Sequence, residues 1–149
     1  LLSSAAPIDG FGVGTALDAS SDAPSLDCAY KLQEYAGRPR RKRSEGKATW
    51  PGKKQVYRNY NVDGRMSGDV VALEENDSHG GQPLLIPVMQ DGRRIHADAP
   101  LDQMRQRALA GYAGLPKAMT VLEKVPAYPV VISAGLQALA SQLDKEHAF

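Results

Sequence analysis

Near one end of the chain the run Ile8-Asp9-Gly10-Phe11-Gly12-Val13-Gly14-Thr15 sets glycines at alternate positions and closes on a hydroxyl. Glycine lets backbone N–H groups approach an oxyanion with no Cβ in the way, and Thr15 adds a side-chain donor at the rim. This is the chemistry of a phosphate cradle at the end of a short apolar strand. A plain glycine turn fits the same residues.

A second concentration of chemistry lies between Arg38 and Arg58, where nine Lys or Arg stand against a single acid, Glu45. The remainder of the chain carries nine basic and sixteen acidic residues, so a net charge of +1 conceals a strongly basic block. Such a block draws in polyanions or phosphorylated small molecules; it is equally the composition of a solvated hairpin face. Ser44-Glu45-Gly46-Lys47 and Trp50-Pro51-Gly52-Lys53-Lys54-Gln55 combine turns, hydroxyls and lysines as a phosphate-facing loop would. Trp50, Tyr57 and Tyr60 interleave rings with charge as single-strand binders do, although their strand-like spacing beside turns is also that of core residues.

Elsewhere the residues point away from catalysis. His79, His96 and His147 are too scattered for a metal set, and Cys28 has no partner for a disulfide and no metal-ligand spacing, so it reads as a small buried residue. Glu74, Glu75 and Asp77 fall in a polar loop, and there is no nucleophile elbow, zinc motif or Walker loop. With 42% apolar residues over 149 positions the chain suits one domain with a core. No apolar run approaches the roughly 18 residues of a membrane span, and no secretory signal pattern is present, which suits a cytoplasmic protein.

The elements that must position these residues change character along the chain. Leu1 to Pro7 reads as the end of a helix, and Ile8 to Val13 as a buried strand whose partners lie elsewhere, so a segment is expected to precede Leu1. Ser20 to Ser25 is a linker by composition. A hairpin is expected around Ala36-Gly37 between residues 29–35 and 38–43, then strands at 55–60 and 69–73, then a second hairpin around Asp91-Gly92 between residues 83–90 and 93–97. Together these make a small antiparallel sheet. The period then shifts to about 3.6: Asp98 is placed to cap a helix bearing Met104, Ala108, Tyr112 and Leu115 on one face, and Ser133 to cap a second bearing Leu136, Leu139, Ala140 and Leu143. Both helices are expected to dock on the sheet.

Taken in order, IDGFGVGT (8–15), DAPSLDCAYKL (22–32), GRP (37–39), SEGKATWPGKKQVYR (44–58), LLIPVMQDGRR (84–94) and YPVVISAGLQAL (128–139) closely resemble the C-terminal part of nicotinate phosphoribosyltransferases. The resemblance implies an α+β arrangement: the last strand of an irregular α/β barrel of the type II phosphoribosyltransferases, residues 1–22, followed by a β-rich accessory domain with two C-terminal helices, residues 23–149. It implies an enzyme that forms nicotinate mononucleotide and pyrophosphate from nicotinate and phosphoribosyl pyrophosphate in NAD biosynthesis, with Mg²⁺ and coupled ATP hydrolysis, as a cytoplasmic homodimer without nucleic-acid or membrane partners. By the same resemblance Gly12, Val13, Gly14 and Thr15 hold the sugar phosphate, in keeping with phosphate sites after the last strands of barrels, and Lys42 and Lys47 are secondary anion contacts. The family's ATP-phosphorylated histidine, its nicotinate-binding residues and the metal ligands belong to segments outside this chain, which is therefore expected to be inactive by itself. One departure stands out: Arg40-Arg41-Lys42-Arg43 replaces a strand that in the family alternates apolar residues with a lysine, and an edge strand protected by charge is one use of such a run. From the residues alone, a stand-alone basic β-module binding nucleic acid or other polyanions remains the contrasting reading, with an inert remnant as a third.

Overall fold

Residues 54–60 and 66–73 alternate in burial as strands with one inward face should, and they form the centre of the molecule's sheet. The computed structural model describes residues 4–5, 7–25, 31–74, 80–121 and 123–146. Cys28, Tyr30, Glu75, Asp77, His79 and His147 lie outside them, as does most of the helix end expected at 1–7. The chain divides into two units, Leu1–Lys31 and Leu32–Phe149.

The first unit holds one helical turn, α1 (Thr15–Asp18). Ile8 to Val13 belongs to no strand ladder, and Ile8, Phe11 and Val13 are exposed, with Phe11 at 56%. The expected buried strand is therefore not formed. A strand is made by its neighbours' hydrogen bonds, and no partner for this one occurs among the described residues.

The second unit is a mixed α+β structure. Its first hairpin, β1 (Glu34–Tyr35) and β2 (Arg38–Pro39), turns at Ala36 and Gly37, both at positive φ (50° and 67°), the conformation of the tight turns that match strand twist. β3 (Lys54–Tyr60) pairs antiparallel with β4 (Met66–Leu73), with Arg58 opposite Asp69 and an irregularity at Asn59/Tyr60. The connecting turn is held by Asn61, whose Oδ1 accepts from the N–H groups of Asp63 (3.0 Å) and Arg65 (2.9 Å). β5 (Gln82–Pro83) extends the far side of β3, and β6 (Met89–Gln90) with β7 (Arg93–Arg94) forms the hairpin expected at Asp91-Gly92. β8 (Val130–Ile132) completes the order β5-β3-β4-β8, running parallel to β4. The sheet is thus mixed, not purely antiparallel. The intervening chain, with α2 (Leu101–Ala113) and a 3₁₀ turn at Lys117–Thr120, is long enough for the crossover that a parallel pair requires.

The two long helices behave differently. α3 (Ala134–Glu146) starts as expected at Ser133, whose Oγ accepts from the Leu136 N–H at 3.3 Å, and it buries Leu136 and Ala140 while Leu139 and Leu143 are half-buried. α2 does not dock: it buries no residue, and Leu101, Met104, Leu109 and Tyr112 are exposed. Nor does Asp98 cap it. Pro100 occupies the cap position without a side-chain bond, and Asp98 is ion-paired with Arg94. The core is therefore built from Tyr57, Ala72, Leu136 and Ala140, closed at one end by fully buried Pro51. Gly52 next to it has φ 77°, and a Cβ there would meet Leu73 Cδ2 at 3.0 Å. The Lys54 ammonium fastens this corner on the Gln33 side-chain oxygen and the carbonyls of Trp50 (2.8 Å) and Gly52 (2.6 Å), and burial lowers its pKa.

Candidate functional site

In the glycine-rich turn the chain runs extended through Gly14 (φ −94°, ψ 164°) and enters α1, where Leu17 N–H donates to Gly14 O (2.8 Å) and Ala19 N–H to Thr15 O (3.0 Å). Gly14 is thus the residue before a first helical turn, and the leading N–H groups of that turn have no earlier carbonyl to take. Gly10, Gly12 and Gly14 are absent from the positive-φ positions, and nothing lies within 4 Å of where a Cβ would stand on any of them. Their contribution is bare, accessible backbone, not a left-handed bend. Gly12, Val13, Gly14 and Thr15 are all exposed. The geometry suits a bound oxyanion through backbone donors and the Thr15 hydroxyl.

Within the second unit the basic block separates into cations that are spent and cations that are not. Arg41 and Arg43 both reach Asp144 on α3, at 3.1 and 3.2 Å. Lys53 pairs with Glu74 at 2.5 Å, and Arg58 with Asp69. Lys54 is committed to the Trp50–Gly52 corner. The side chains of Arg38, Arg40, Lys42 and Lys47 are exposed and make no ion pair among the described residues. The expected charged edge strand is not what forms at Arg40 to Arg43: the segment lies outside the strands, and its two out-of-pattern arginines face an acid on α3. Lys47 sits in a turn closed by its N–H to Ser44 O at 3.0 Å. Of the interleaved aromatics, Tyr57 is core, while Trp50 and Tyr60 are partly exposed at 38% and 43%.

A third arrangement was not read from the sequence. Arg58 grips Asp69 with two bonds, Nε to Oδ1 at 2.9 Å and Nη2 to Oδ2 at 2.8 Å, and Tyr128 donates its hydroxyl to the same Oδ1 at 3.0 Å. The guanidinium carbon lies 5.8 Å from the Tyr128 ring centre. The hydrogen bonds from Arg58 hold the Asp69 carboxyl below its ordinary pKa against the opposing effect of burial, and they raise that of Arg58; burial, then the bond to Asp69, raises Tyr128. A base and an acid on two successive expected strands were the one available signal for Arg58 and Asp69; nothing local announced Tyr128. The cluster ties β3 to β4 and to the residue that leads into β8, so its evident work is structural. An open groove of about 450 Å³ beside it is lined by Met66, Gly111, Tyr112, Leu115 and Met119.

No group of three or more His, Cys, Asp or Glu among the described residues is arranged to hold a metal ion. No helix among them is long and apolar enough to cross a membrane.

No protein-family model matches the chain. Individual proteins do: a nicotinate phosphoribosyltransferase of Mycobacterium tuberculosis is 46% identical over 89% of this chain and 29% of its own length. The chain is a partial member of the nicotinate phosphoribosyltransferase family. The mouse nicotinate phosphoribosyltransferase is 31% identical over the same 89% of the chain. The crystal structure of the human nicotinic acid phosphoribosyltransferase superposes on 77% of the chain with a TM-score of 0.62 at 26% identity, which matches the mixed α+β architecture. The chain spans about three tenths of the length of the nicotinate phosphoribosyltransferases it matches, and 26% of the human chain.

Proposed function

We propose that this chain supplies the phosphate-holding turn and the accessory domain of a nicotinate phosphoribosyltransferase, the enzyme that makes nicotinate mononucleotide from nicotinate and phosphoribosyl pyrophosphate on the way to NAD. The single observation that carries the reading is the likeness to named nicotinate phosphoribosyltransferases across 89% of the chain. In it, Ile8 to Val13 is the last strand of an irregular α/β barrel, whose neighbouring strands lie in the part of the relatives that this chain does not span. Gly12, Val13, Gly14 and Thr15 hold the sugar phosphate through backbone N–H groups and the Thr15 hydroxyl, and Lys42 and Lys47 are secondary anion contacts.

The reaction displaces pyrophosphate at the anomeric carbon, with positive charge growing on the ribose and negative charge on the leaving group. A rigid turn that fixes the phosphate end of the sugar contributes orientation to that step. Mg²⁺ and ATP hydrolysis belong to the proposal for the complete enzyme, with ligands and catalytic histidine outside this chain, and so do its homodimeric, cytoplasmic state and its lack of nucleic-acid partners. The contrasting polyanion-module reading loses its main support, because five of the nine cations between Arg38 and Arg58 are committed to internal partners.

The test is a chimera in which this chain replaces the matching C-terminal part of a relative. Nicotinate-dependent pyrophosphate release is expected from the chimera and not from the chain alone. In the chimera Thr15→Val should weaken use of phosphoribosyl pyrophosphate by about 1.5–3 kcal/mol, the worth of a hydrogen bond to a charged group. A folded but inactive chimera would remove the enzyme reading, and unaltered kinetics of the Thr15 variant would remove that residue's role.

A further inference from the structure

The undocked helix α2 is nevertheless fastened at its C-terminal end. Met66 N–H donates to Gly114 O at 2.8 Å, and Arg65 Nη1 donates to the carbonyls of Ala113 (3.2 Å) and Leu115 (2.7 Å). These bonds hold the last turn of α2 beside the start of β4, and residues of both line the groove of about 450 Å³. Two glycines there behave differently. A Cβ on Gly114 would meet Met66 Cε at 3.3 Å, so its space is already filled, whereas a Cβ on Gly111, a turn earlier, would meet nothing within 4 Å. Glycine is, after proline, the weakest helix former, and no positive φ calls for it at position 111. What it gives is room in the groove. The walls are the thioethers of Met66 and Met119, Leu115, and the rings of Tyr112 and Tyr128, and thioethers and ring faces make favourable contacts with a flat aromatic partner. Arg58 supplies the polar point. Its Nε and Nη2 are taken by Asp69, and its Nη1 donates to no group among the described residues. That donor belongs to an ion pair whose charges already cancel, so it suits a neutral acceptor; a carboxylate would have to shed its water in an apolar groove and stand close to Asp69.

We propose that this groove is a binding site for an uncharged planar aromatic molecule bearing a carbonyl group, an aromatic amide being the simplest form, with the ring over Gly111 against Met66 and Met119 and the carbonyl accepting from Arg58 Nη1. The site lies wholly within residues 32–149 and needs neither the glycine turn nor the reaction proposed above. A volume of about 450 Å³ falls in the range of small-molecule sites, in which a few placed polar groups orient a ligand held by apolar walls. The structural work of Arg58 and this role coexist, since the bonds that tie β3 to β4 use Nε and Nη2 and leave Nη1.

The chain's four methionines provide the test, since Met66 and Met119 line the groove and Met89 and Met104 do not. In methyl spectra of the methionine-labelled 149-residue chain, benzamide is expected to shift the Met66 and Met119 signals saturably and leave the other two in place; no shift, or equal shifts at all four, overturns the site. Benzoate, which has the same ring and nearly the same shape with a full charge, should bind about fivefold more weakly or worse, and equal or tighter binding overturns the assignment of a neutral ligand. Gly111→Leu fills the open space with a better helix former, so benzamide affinity should fall about fivefold or more with α2 intact; unchanged affinity overturns the placement of the ring. Should that variant displace α2, Met119→Gln, close in size but polar, decides: weaker binding supports the site and unchanged binding overturns it. Arg58→Lys keeps a cation beside Asp69 and withdraws Nη1. Affinity lowered about fivefold is expected, as befits loss of one hydrogen bond, and unchanged affinity removes Arg58 from the site.

Discussion

The two units of this chain solve the burial problem in opposite ways. In residues 32–149, β3, β4 and α3 bring Tyr57, Ala72, Leu136 and Ala140 out of water with the chain's own material. In residues 1–31 the apolar residues of Ile8 to Leu17 are exposed, Leu17 at 80%. The first pattern is that of a self-supporting core. The second is a segment written for neighbours that are not among its described residues, and it is this segment that carries the glycine turn. The contrast teaches that a binding motif and the fold that stiffens it need not lie in the same stretch of sequence.

The comparison can be broken most severely at Leu136. Leu136→Ala empties a fully buried position and should destabilise the second unit by about 2–5 kcal/mol in urea unfolding, while amide exchange in residues 7–25 stays as it was; a shared loss of protection would mean that the units are not independent. Gly52→Ala comes next. Its positive φ and the 3.0 Å approach to Leu73 give a side chain no room, so roughly 1–3 kcal/mol should be lost by the same measurement. Asp69 then sharpens the picture through pH. Its carboxyl is held below its ordinary pKa by Arg58, so the stability it contributes is complete above the unfolded value near 4 and is lost as pH falls through the lower folded value. Thermal melts should show that acid-side loss, and Asp69→Asn should flatten it while costing about 2 kcal/mol at neutral pH. The smallest effect is expected in the first unit, where Thr15→Val should alter the stability of this chain by less than about 0.5 kcal/mol, as exposed substitutions do. A large loss there would show that the turn is part of a core after all.

Much of the local architecture was legible. Ala36-Gly37 and Asp91-Gly92 turn where their chemistry says, Ser133 caps α3, and the Leu136–Ala140 stripe is the face that packs. Each of these depends on residues within a few positions of one another. The misreadings involve distance. Asp98 looked like a cap until Arg94 took it, and α2 has an apolar stripe that nothing among the described residues covers. The parallel pairing of β8 could not be seen from its own three residues. The long glycine-rich approach to Thr15 was legible as a turn but not as a first helical turn, because its apolar spacing says strand.

By itself the sequence determined the turns, the helix cap, the period of each segment and the kinship with nicotinate phosphoribosyltransferases, since all of these are written in residue types at short spacing or in their order. Only the tertiary structure decided which cations are spent. Arg41 and Arg43 find Asp144 some hundred positions away, and Arg58, Asp69 and Tyr128 meet across three separate segments. Electrostatic partnership depends on distance in space, and that distance exists only once the sheet and α3 have packed.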